Sequence, residues 1–201
     1  LALKKPDSEN KPFSSKTFDS MKLRNIGPAY MSGRISDIAV DQKNPSTWYT
    51  AVASGGVWKT LNAGTTWTPI FDKQAVYSTG DVTIDPSNSN IIWVGTGENN
   101  GGRHISFGDG VYKSLDGGKT WKNMGLKKSE RISDIIIHPE NSDVVWVSAQ
   151  GPLWTGGGER GLYKTTDGGK SWKQVLKTKD KWTGVTSLLI DPTNPNKLYA
   201  A

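Results

Sequence analysis

One eight-residue phrase, present three times, constrains the fold of this chain more than any other feature. Its pattern is Ser/Thr-x-Asp/Asn-x-Gly-x-Ser/Thr-Trp, and the copies lie at Thr60–Trp67, Ser114–Trp121 and Thr165–Trp172. A motif that recurs about every fifty residues indicates an array of equivalent supersecondary units rather than one isolated site. We therefore expect a chain built from repeats.

The residue types of the phrase predict a tight turn followed by an anchor. An Asp or Asn side chain accepts backbone N–H groups a few residues on, and Gly adopts the positive φ that such turns require. The large Trp ring then buries apolar area in the core. Because these positions repeat in every unit, we expect a structural rather than a catalytic role for the following residues: Asn62, Trp67, Asp116, Trp121, Asp167 and Trp172.

The rest of each unit predicts four short β-strands. Apolar or aromatic runs alternate with turns rich in Gly, Pro, Asn and Asp, and the first run of each unit ends at Asp41, Asp85, His138 or Asp191. Four antiparallel strands per repeat form the blade of a β-propeller, so we expect an all-β fold. The predicted blades lie at about residues 35–70, 80–125, 132–176 and, incomplete, 184–201.

Three full blades and part of a fourth do not close a ring, because propellers contain roughly four to eight blades. We expect the remainder of the propeller beyond Ala201. Residues 23–27 resemble the outer strand of the second blade, Trp121–Gly125, and residues 21–27 are predicted to be a closing strand for the final blade. Residues 1–20 are polar and predict a tail or linker.

Composition narrows the functions to be considered. The net charge of +6 arises from 20 Lys and only 5 Arg against 19 acidic residues, which is typical of a solvated surface more than of nucleic-acid recognition. The absence of Cys excludes disulfides and thiolate metal ligands, and two His are too few to predict a zinc site. We expect no cofactor, no metal, no nucleic acid and no membrane insertion, since no apolar run approaches ~20 residues.

The repeated phrase resembles the Asp-box, or BNR repeat. Together with Asn25–Pro28, Gly33–Ile35 and Gly55–Thr60, it is similar to sortilin-type propeller domains in large bacterial exported proteins. This resemblance implies an exported location, either periplasmic, cell-surface or secreted. Asp-box propellers include sialidases, xyloglucanases, sorting receptors and photosystem assembly factors, so the resemblance implies the fold and leaves the activity open.

Departures from the repeat mark the candidate functional face. The loops between the second and third strands are short in the first blade and long in the next two, where they cover residues 97–110 and 149–160. Long loops on a rigid scaffold concentrate binding residues. This face is basic, which favours an anionic glycan or an acidic partner, although a solvated rim of charged residues is the alternative. Besides the Arg and His residues named below, its cations are Arg131, Lys127, Lys128, Lys179 and Lys181. We expect it to bind a glycan or a protein partner through Arg34, Arg103, His104, Phe107, Trp154, Arg160 and Trp182.

A glycoside hydrolase is the alternative. Such enzymes use two carboxylic groups, and Glu98 and Glu159, in equivalent loops, are the candidate pair. The resemblance to xyloglucanases implies a catalytic Asp just before paired glycines, but Ala53 and Ser54 stand there. A sialidase-type Arg triad would need Arg34, Arg103 and Arg160, yet no Tyr/Glu nucleophile pair is evident. We therefore favour a binding module.

A second repeating carboxylate precedes each strand-ending turn by four residues. It is Asp37, Asp81 and Asp134 in the first three blades, with Ser187 in the fourth. These positions lie near the start of the innermost strand. Because a buried carboxylate must be paired, we expect each one to bond the backbone of the neighbouring blade.

Overall fold

Fourteen β-strands make up the described part of the chain. The computed structural model describes residues 34–99 and 105–201, and within these ranges it contains no helix. The predicted tail and closing strand, residues 1–20 and 21–27, lie outside the described residues. The strands are β1 (Ile35–Val40), β2 (Trp48–Val52), β3 (Gly56–Thr60), β4 (Thr68–Pro69), β5 (Thr79–Ile84), β6 (Ile92–Thr96), β7 (Val111–Ser114), β8 (Lys122–Asn123), β9 (Ile132–His138), β10 (Asn141–Ala149), β11 (Gly161–Thr165), β12 (Lys173–Leu176), β13 (Leu188–Asp191) and β14 (Asn194–Ala200).

The strands pair only with their neighbours in sequence and always antiparallel. They form three four-stranded sheets, β1 to β4, β5 to β8 and β9 to β12, and a two-stranded sheet of β13 and β14. We call these sheets blades 1 to 4. The sequence prediction of four-stranded antiparallel blades in a partial ring, with three complete and one incomplete, is confirmed.

Apolar side chains between successive blades form the core. Alternation along each strand directs these side chains toward the neighbouring sheet, as in other stacked sheets. Three clusters result, one at each blade junction. The buried members include Tyr49, Val57, Val82 and Tyr112 between blades 1 and 2, Trp93, Val111, Ile135 and Val145 between blades 2 and 3, and Trp146, Leu162, Val185 and Leu188 between blades 3 and 4.

The Asp-box turn is built by its own side chains. In blade 2, Asp116 Oδ1 accepts the backbone N–H of Thr120 at 2.9 Å and the hydroxyl of Ser114 at 2.8 Å. Gly117 and Gly118 have φ values of 69° and 89°, which explains the glycines. Asp167 in blade 3 and Asn62 in blade 1 accept the equivalent backbone N–H groups at 3.0 and 2.8 Å.

The Trp of the phrase differs from the expected core residue. In blades 2 and 3 this Trp is half-buried, and its N–H donates to a carbonyl of the preceding blade. Trp121 Nε1 donates to the carbonyl of Ile70 at 2.8 Å, and Trp172 Nε1 donates to that of Met124 at 2.7 Å. The indole therefore joins two blades, because its polar N–H needs an acceptor that the interior of one sheet does not offer.

The repeating carboxylates on the innermost strands also join blades. Asp37 Oδ2 accepts the N–H of Val82 at 3.1 Å, and Asp134 Oδ2 accepts the N–H of Leu188 at 2.8 Å. Asp81 accepts the hydroxyl of Thr83 at 3.1 Å and the backbone N–H of Ile135. Each carboxylate thus bonds the backbone of the next blade, as the sequence predicts.

Hydrogen bonds between loops separate two faces of the arc. The Asp-box turns contact the first hairpin turns of their blades, as in the bond from Gly117 N to Asn90 O at 2.9 Å. At the opposite end, the long loops contact the connections between blades, as in the bond from Gly97 N to Ser78 O at 2.9 Å. We call these the Asp-box face and the long-loop face.

Candidate functional site

Three loops on the long-loop face join into one surface, at residues 126–131, 150–160 and 177–187. Glu159 Oε2 accepts the N–H of Lys128 at 2.8 Å, which links the first loop to the second. Gly157 N donates to the carbonyl of Lys181 at 2.7 Å, which links the second to the third. We call this the three-loop surface. Its parts are separated in sequence but fixed relative to one another by these hydrogen bonds.

Arg160 lies at the centre of the three-loop surface and is only 6% exposed. A guanidinium carries five N–H donors, and each one reaches a backbone carbonyl. Burial lowers the pKa of Arg160, while Asp180 and Glu130 act in the opposite direction. The acceptors are the carbonyl oxygens of Gly157, Trp182 and Thr155, each at 2.9 Å, that of Gln150 at 2.5 Å, and that of Pro152.

This geometry changes the role expected for Arg160. The sequence predicts a ligand contact, but the guanidinium is buried and its donors are occupied by carbonyl groups. Arg160 instead holds the backbone of two loops together. No local sequence signal distinguishes the two roles, because the carbonyl acceptors lie on residues from 150 to 182.

Trp154 and Trp182 are the exposed aromatic residues of the three-loop surface, at 78% and 57% exposure. Arg160 bonds the carbonyl of Trp182 itself and that of Thr155, which follows Trp154. The backbone beside both rings is therefore held by one guanidinium. Large apolar rings that are exposed on a fixed backbone are suited to ligand contact.

Asp180 is a residue that the sequence analysis did not select. Its Oδ1 accepts the N–H groups of Trp182 at 2.7 Å and Thr183 at 2.9 Å. These bonds lower the pKa of Asp180. They form a side-chain turn that presents Trp182 outward, with Lys181 Nζ 5.5 Å from the ring centroid. The sequence could have indicated this role, because an Asp side chain that accepts backbone N–H groups two residues later is typical of such turns.

Phe107 lies in the long loop of blade 2, on the same face, and is 70% exposed. Tyr77, in the connection between blades 1 and 2, is 60% exposed, and its hydroxyl oxygen is 3.2 Å from Oγ of Ser106, the residue before Phe107. Ser78 Oγ also donates to the carbonyl of Ser106 at 3.1 Å. This second aromatic surface is anchored through Ser106, separately from the three-loop surface.

The two candidate catalytic carboxylates are both engaged. Glu98 is completely buried and forms an ion pair with Arg34, its one polar side-chain contact among the described residues. Glu159 accepts the N–H of Lys128, as described above. A general acid or base must reach the reacting group, and a completely buried carboxylate does not. The geometry therefore gives no support to Glu98 and Glu159 as an acid/base pair, and it makes Arg34 a partner of Glu98.

Two other expected binding residues, Arg103 and His104, lie outside the described residues. In residues 34–99 and 105–201, no group of three or more His, Asp and Glu side chains is placed to hold a metal ion. Across the same ranges there is also no helix of the length and apolar character needed to cross a membrane.

Blades of four antiparallel strands, each with an Asp-box turn between its third and fourth strands, define the fold as a β-propeller with Asp-box, or BNR, repeats. Residues 109–201 match a family model described as sortilin, neurotensin receptor 3. The fold is shared with an ancestral GH74 enzyme, with a TM-score of 0.69 and 22% identity over 84% of this chain and 22% of that one.

Curated relatives are similar over parts of the chain. A "Probable oligoxyloglucan-reducing end-specific xyloglucanase" of Neosartorya fischeri is 30% identical over 116 residues, which are 55% of this chain and 12% of that protein. A xyloglucanase of Hypocrea jecorina is 25% identical over 190 residues, 86% of this chain and 21% of that protein. The chain thus spans about a fifth or less of the length of these relatives.

Proposed function

We propose that the chain is part of an exported glycan-binding propeller and that the three-loop surface contacts the glycan. The proposal places the protein outside the cytoplasm, in the periplasm, at a bacterial cell surface or in the medium. Similarity to xyloglucanases supports a link to polysaccharide, and the engaged carboxylates Glu98 and Glu159 favour binding over hydrolysis by this part of the chain.

The observation that carries this proposal is the exposure of Trp154 and Trp182 on a backbone fixed by Arg160. Neither ring is needed to build a blade, since both lie outside the aromatic positions that repeat. An indole face stacks on the apolar face of a sugar ring, and the fixed backbone reduces the entropy lost on binding. A protein partner would be the alternative ligand for the same rings.

The proposal is tested with Trp154→Ala and Trp182→Ala in the protein expressed with its full natural sequence. We expect each change to weaken binding to xyloglucan or another polysaccharide about tenfold, with a thermal midpoint close to that of the parent. Leu115→Ala, at an exposed position on the Asp-box face, is the control and should leave both the affinity and the thermal midpoint unchanged. Loss of stability in step with loss of binding would show that Trp154 and Trp182 only hold their loops.

A glycoside hydrolase is the second candidate, favoured by the xyloglucanase relatives. Formation of new reducing ends when the full natural protein is incubated with xyloglucan would support hydrolysis. If turnover occurs and survives Glu98→Gln and Glu159→Gln, the catalytic carboxylates lie outside these two loops. Binding without product release would leave the binding module as the function.

A further inference from the structure

We propose that the three-loop surface selects an anionic polysaccharide, whose sugars carry carboxylate or sulfate groups, over a neutral one. This inference rests on the proposed glycan-binding function and adds the chemical class of the ligand. It follows from the distribution and the pairing of charges around Trp154 and Trp182.

Cations are concentrated in the three loops. The three-loop surface carries seven cationic and three acidic side chains, in residues 126–131, 150–160 and 177–187. Its net charge is therefore +4, out of the +6 of the whole chain. Five of the cations are exposed lysines, and none of them forms an ion pair within the described residues. These lysines are Lys127, Lys128, Lys177, Lys179 and Lys181.

The nearby carboxylates are already engaged by the protein. Glu159 accepts the N–H of Lys128, and Asp180 accepts the N–H groups of Trp182 and Thr183. Glu130 interacts electrostatically with the guanidinium groups of Arg131 and Arg160. The acidic groups therefore take part in the structure of the loops, whereas the five lysine ammonium groups have no acidic partner among the described residues.

Two buried guanidinium groups add to the positive potential from below. Arg131 is 9% exposed and donates from Nε to the carbonyl of Gly151 at 2.9 Å. Burial lowers the pKa of Arg131, and Arg160 acts in the same direction. Both guanidinium groups bond to neutral carbonyls, so their charges are not cancelled by a bonded carboxylate. A surface of one sign raises the local concentration of an oppositely charged ligand.

The combination of rings and ammonium groups favours an acidic sugar over a small anion. Trp154 and Trp182 offer apolar faces that a free phosphate or sulfate would leave unused. Lys181 Nζ lies over the Trp182 ring, so an ammonium and an aromatic face are presented at one place. An acidic sugar ring can stack on an indole while its carboxylate or sulfate meets a lysine.

The test measures affinity for polygalacturonate and for xyloglucan, as acidic and neutral probes, with the full natural protein. At low salt, ~0.02 M, we expect polygalacturonate to bind at least about tenfold more tightly. At ~0.5 M salt this preference should largely disappear, because screening weakens interactions between exposed charges. Equal or tighter binding of xyloglucan at low salt would overturn the inference.

A matched pair of double variants separates the site from the general charge of the protein. Lys179→Gln with Lys181→Gln should weaken polygalacturonate binding about fivefold or more. Lys119→Gln with Lys170→Gln removes the same charge from exposed positions on the Asp-box face and should have little effect. Equal losses in both variants would show only nonspecific attraction and would contradict the proposed site.

The two proposals fail in distinguishable ways. Xyloglucan binding that depends on Trp154 but not on Lys179 or Lys181 keeps the glycan-binding function and overturns the anionic selectivity. Failure of both probes, with binding of an acidic protein that depends on the same lysines, overturns both and identifies a protein-binding face. Circular dichroism melts of every variant confirm that a loss of affinity is not a loss of fold.

Discussion

At the scale of single residues, the aspartates of this protein differ in pKa according to where they lie in the fold. Hydrogen bonds from the side chain and backbone of Thr120, and from Ser114, lower the pKa of Asp116 to about 2. Burial, with added repulsion from Asp37 and Asp134, raises the pKa of Asp81 well above its ordinary value. The same residue type is thus stabilised as an anion in the Asp-box turn and as a neutral acid on the innermost strand.

These shifts predict opposite dependences of stability on pH. Asp116 contributes stability above its ordinary pKa of 3.8, and this contribution is lost as pH falls toward 2. Asp81 lowers stability as pH rises from 3.8 through its raised pKa, because the unfolded chain releases the proton more readily. Asp81→Asn should therefore raise the thermal midpoint by a few degrees at pH 7 and have little effect near pH 3.

Asp116→Asn is the comparison variant for this pH prediction. It is sterically acceptable, since Asn62 already occupies the equivalent place in blade 1. We expect it to lower the thermal midpoint slightly at pH 7, with the difference shrinking as pH falls from 4 toward 2. Thermal melts from pH 2 to 8 measure both effects. A loss of stability at neutral pH in Asp81→Asn would contradict the assigned burial effect.

At the scale of the element, the Asp-box turn connects blades as well as strands. Its Trp donates backward to the outer strand of the preceding blade, as in the bond from Trp172 to Met124. Its backbone accepts from a lysine of that blade, since Lys59 Nζ bonds Gly117 O at 2.9 Å and Lys113 Nζ bonds Gly168 O at 3.2 Å. The turn is therefore a repeated joint between neighbours, which agrees with the nearest-neighbour stability of repeat proteins.

This joint predicts unequal effects of the same substitution at two tryptophans of blade 3. Trp172→Phe removes the bond to Met124 and should lower the free energy of unfolding by about 1–2 kcal/mol, the loss of one hydrogen bond plus some packing. Trp154→Phe is the control, because Trp154 is 78% exposed and its Nε1 has no hydrogen bond among the described residues. Urea denaturation of the full natural protein measures both, and equal losses would argue against the joint.

Across the whole molecule, the arc has an uncovered apolar face at each end. The residue after the aligned aspartate is buried in blades 2 and 3, where Val82 is 1% exposed and Ile135 is 3% exposed. In blade 1 the same position is Ile38, which is 54% exposed. At the other end, Leu189 and Tyr199 of blade 4 are 65% and 52% exposed. A neighbouring blade covers these positions inside the arc. We propose that further blades of the ring cover them at its ends.

The uncovered faces predict that residues 1–201 produced alone associate with one another, because exposed apolar sheet faces and open strand edges favour aggregation. Sedimentation velocity should show concentration-dependent oligomers. Ile38→Glu should reduce this association, whereas Leu115→Glu, at a leucine that is 67% exposed on the Asp-box face, should not. A monomer with a cooperative melt would contradict the need for further blades.

The sequence by itself determined the blades and their turns. The features that predict them are local: the Asp-box phrase, the Gly positions and the strand patterns. The contacts that these features specify, such as that of Asp116 with Thr120, span only a few residues. Even the bonds of Asp37 and Asp134 to the next blade were predictable, because a repeat of constant length places each unit against the next.

Only the tertiary structure decided which residues of the long loops are exposed. Arg160 and Trp182 look equally suited to binding in the sequence, but the guanidinium is buried against five carbonyls while the indole is exposed. Glu98 was likewise a candidate acid until its burial beside Arg34 was known. In loops that depart from the repeat, the repeat pattern does not predict where the side chains lie. Their side chains are placed by long-range hydrogen bonds and burial, which arise only when distant segments meet.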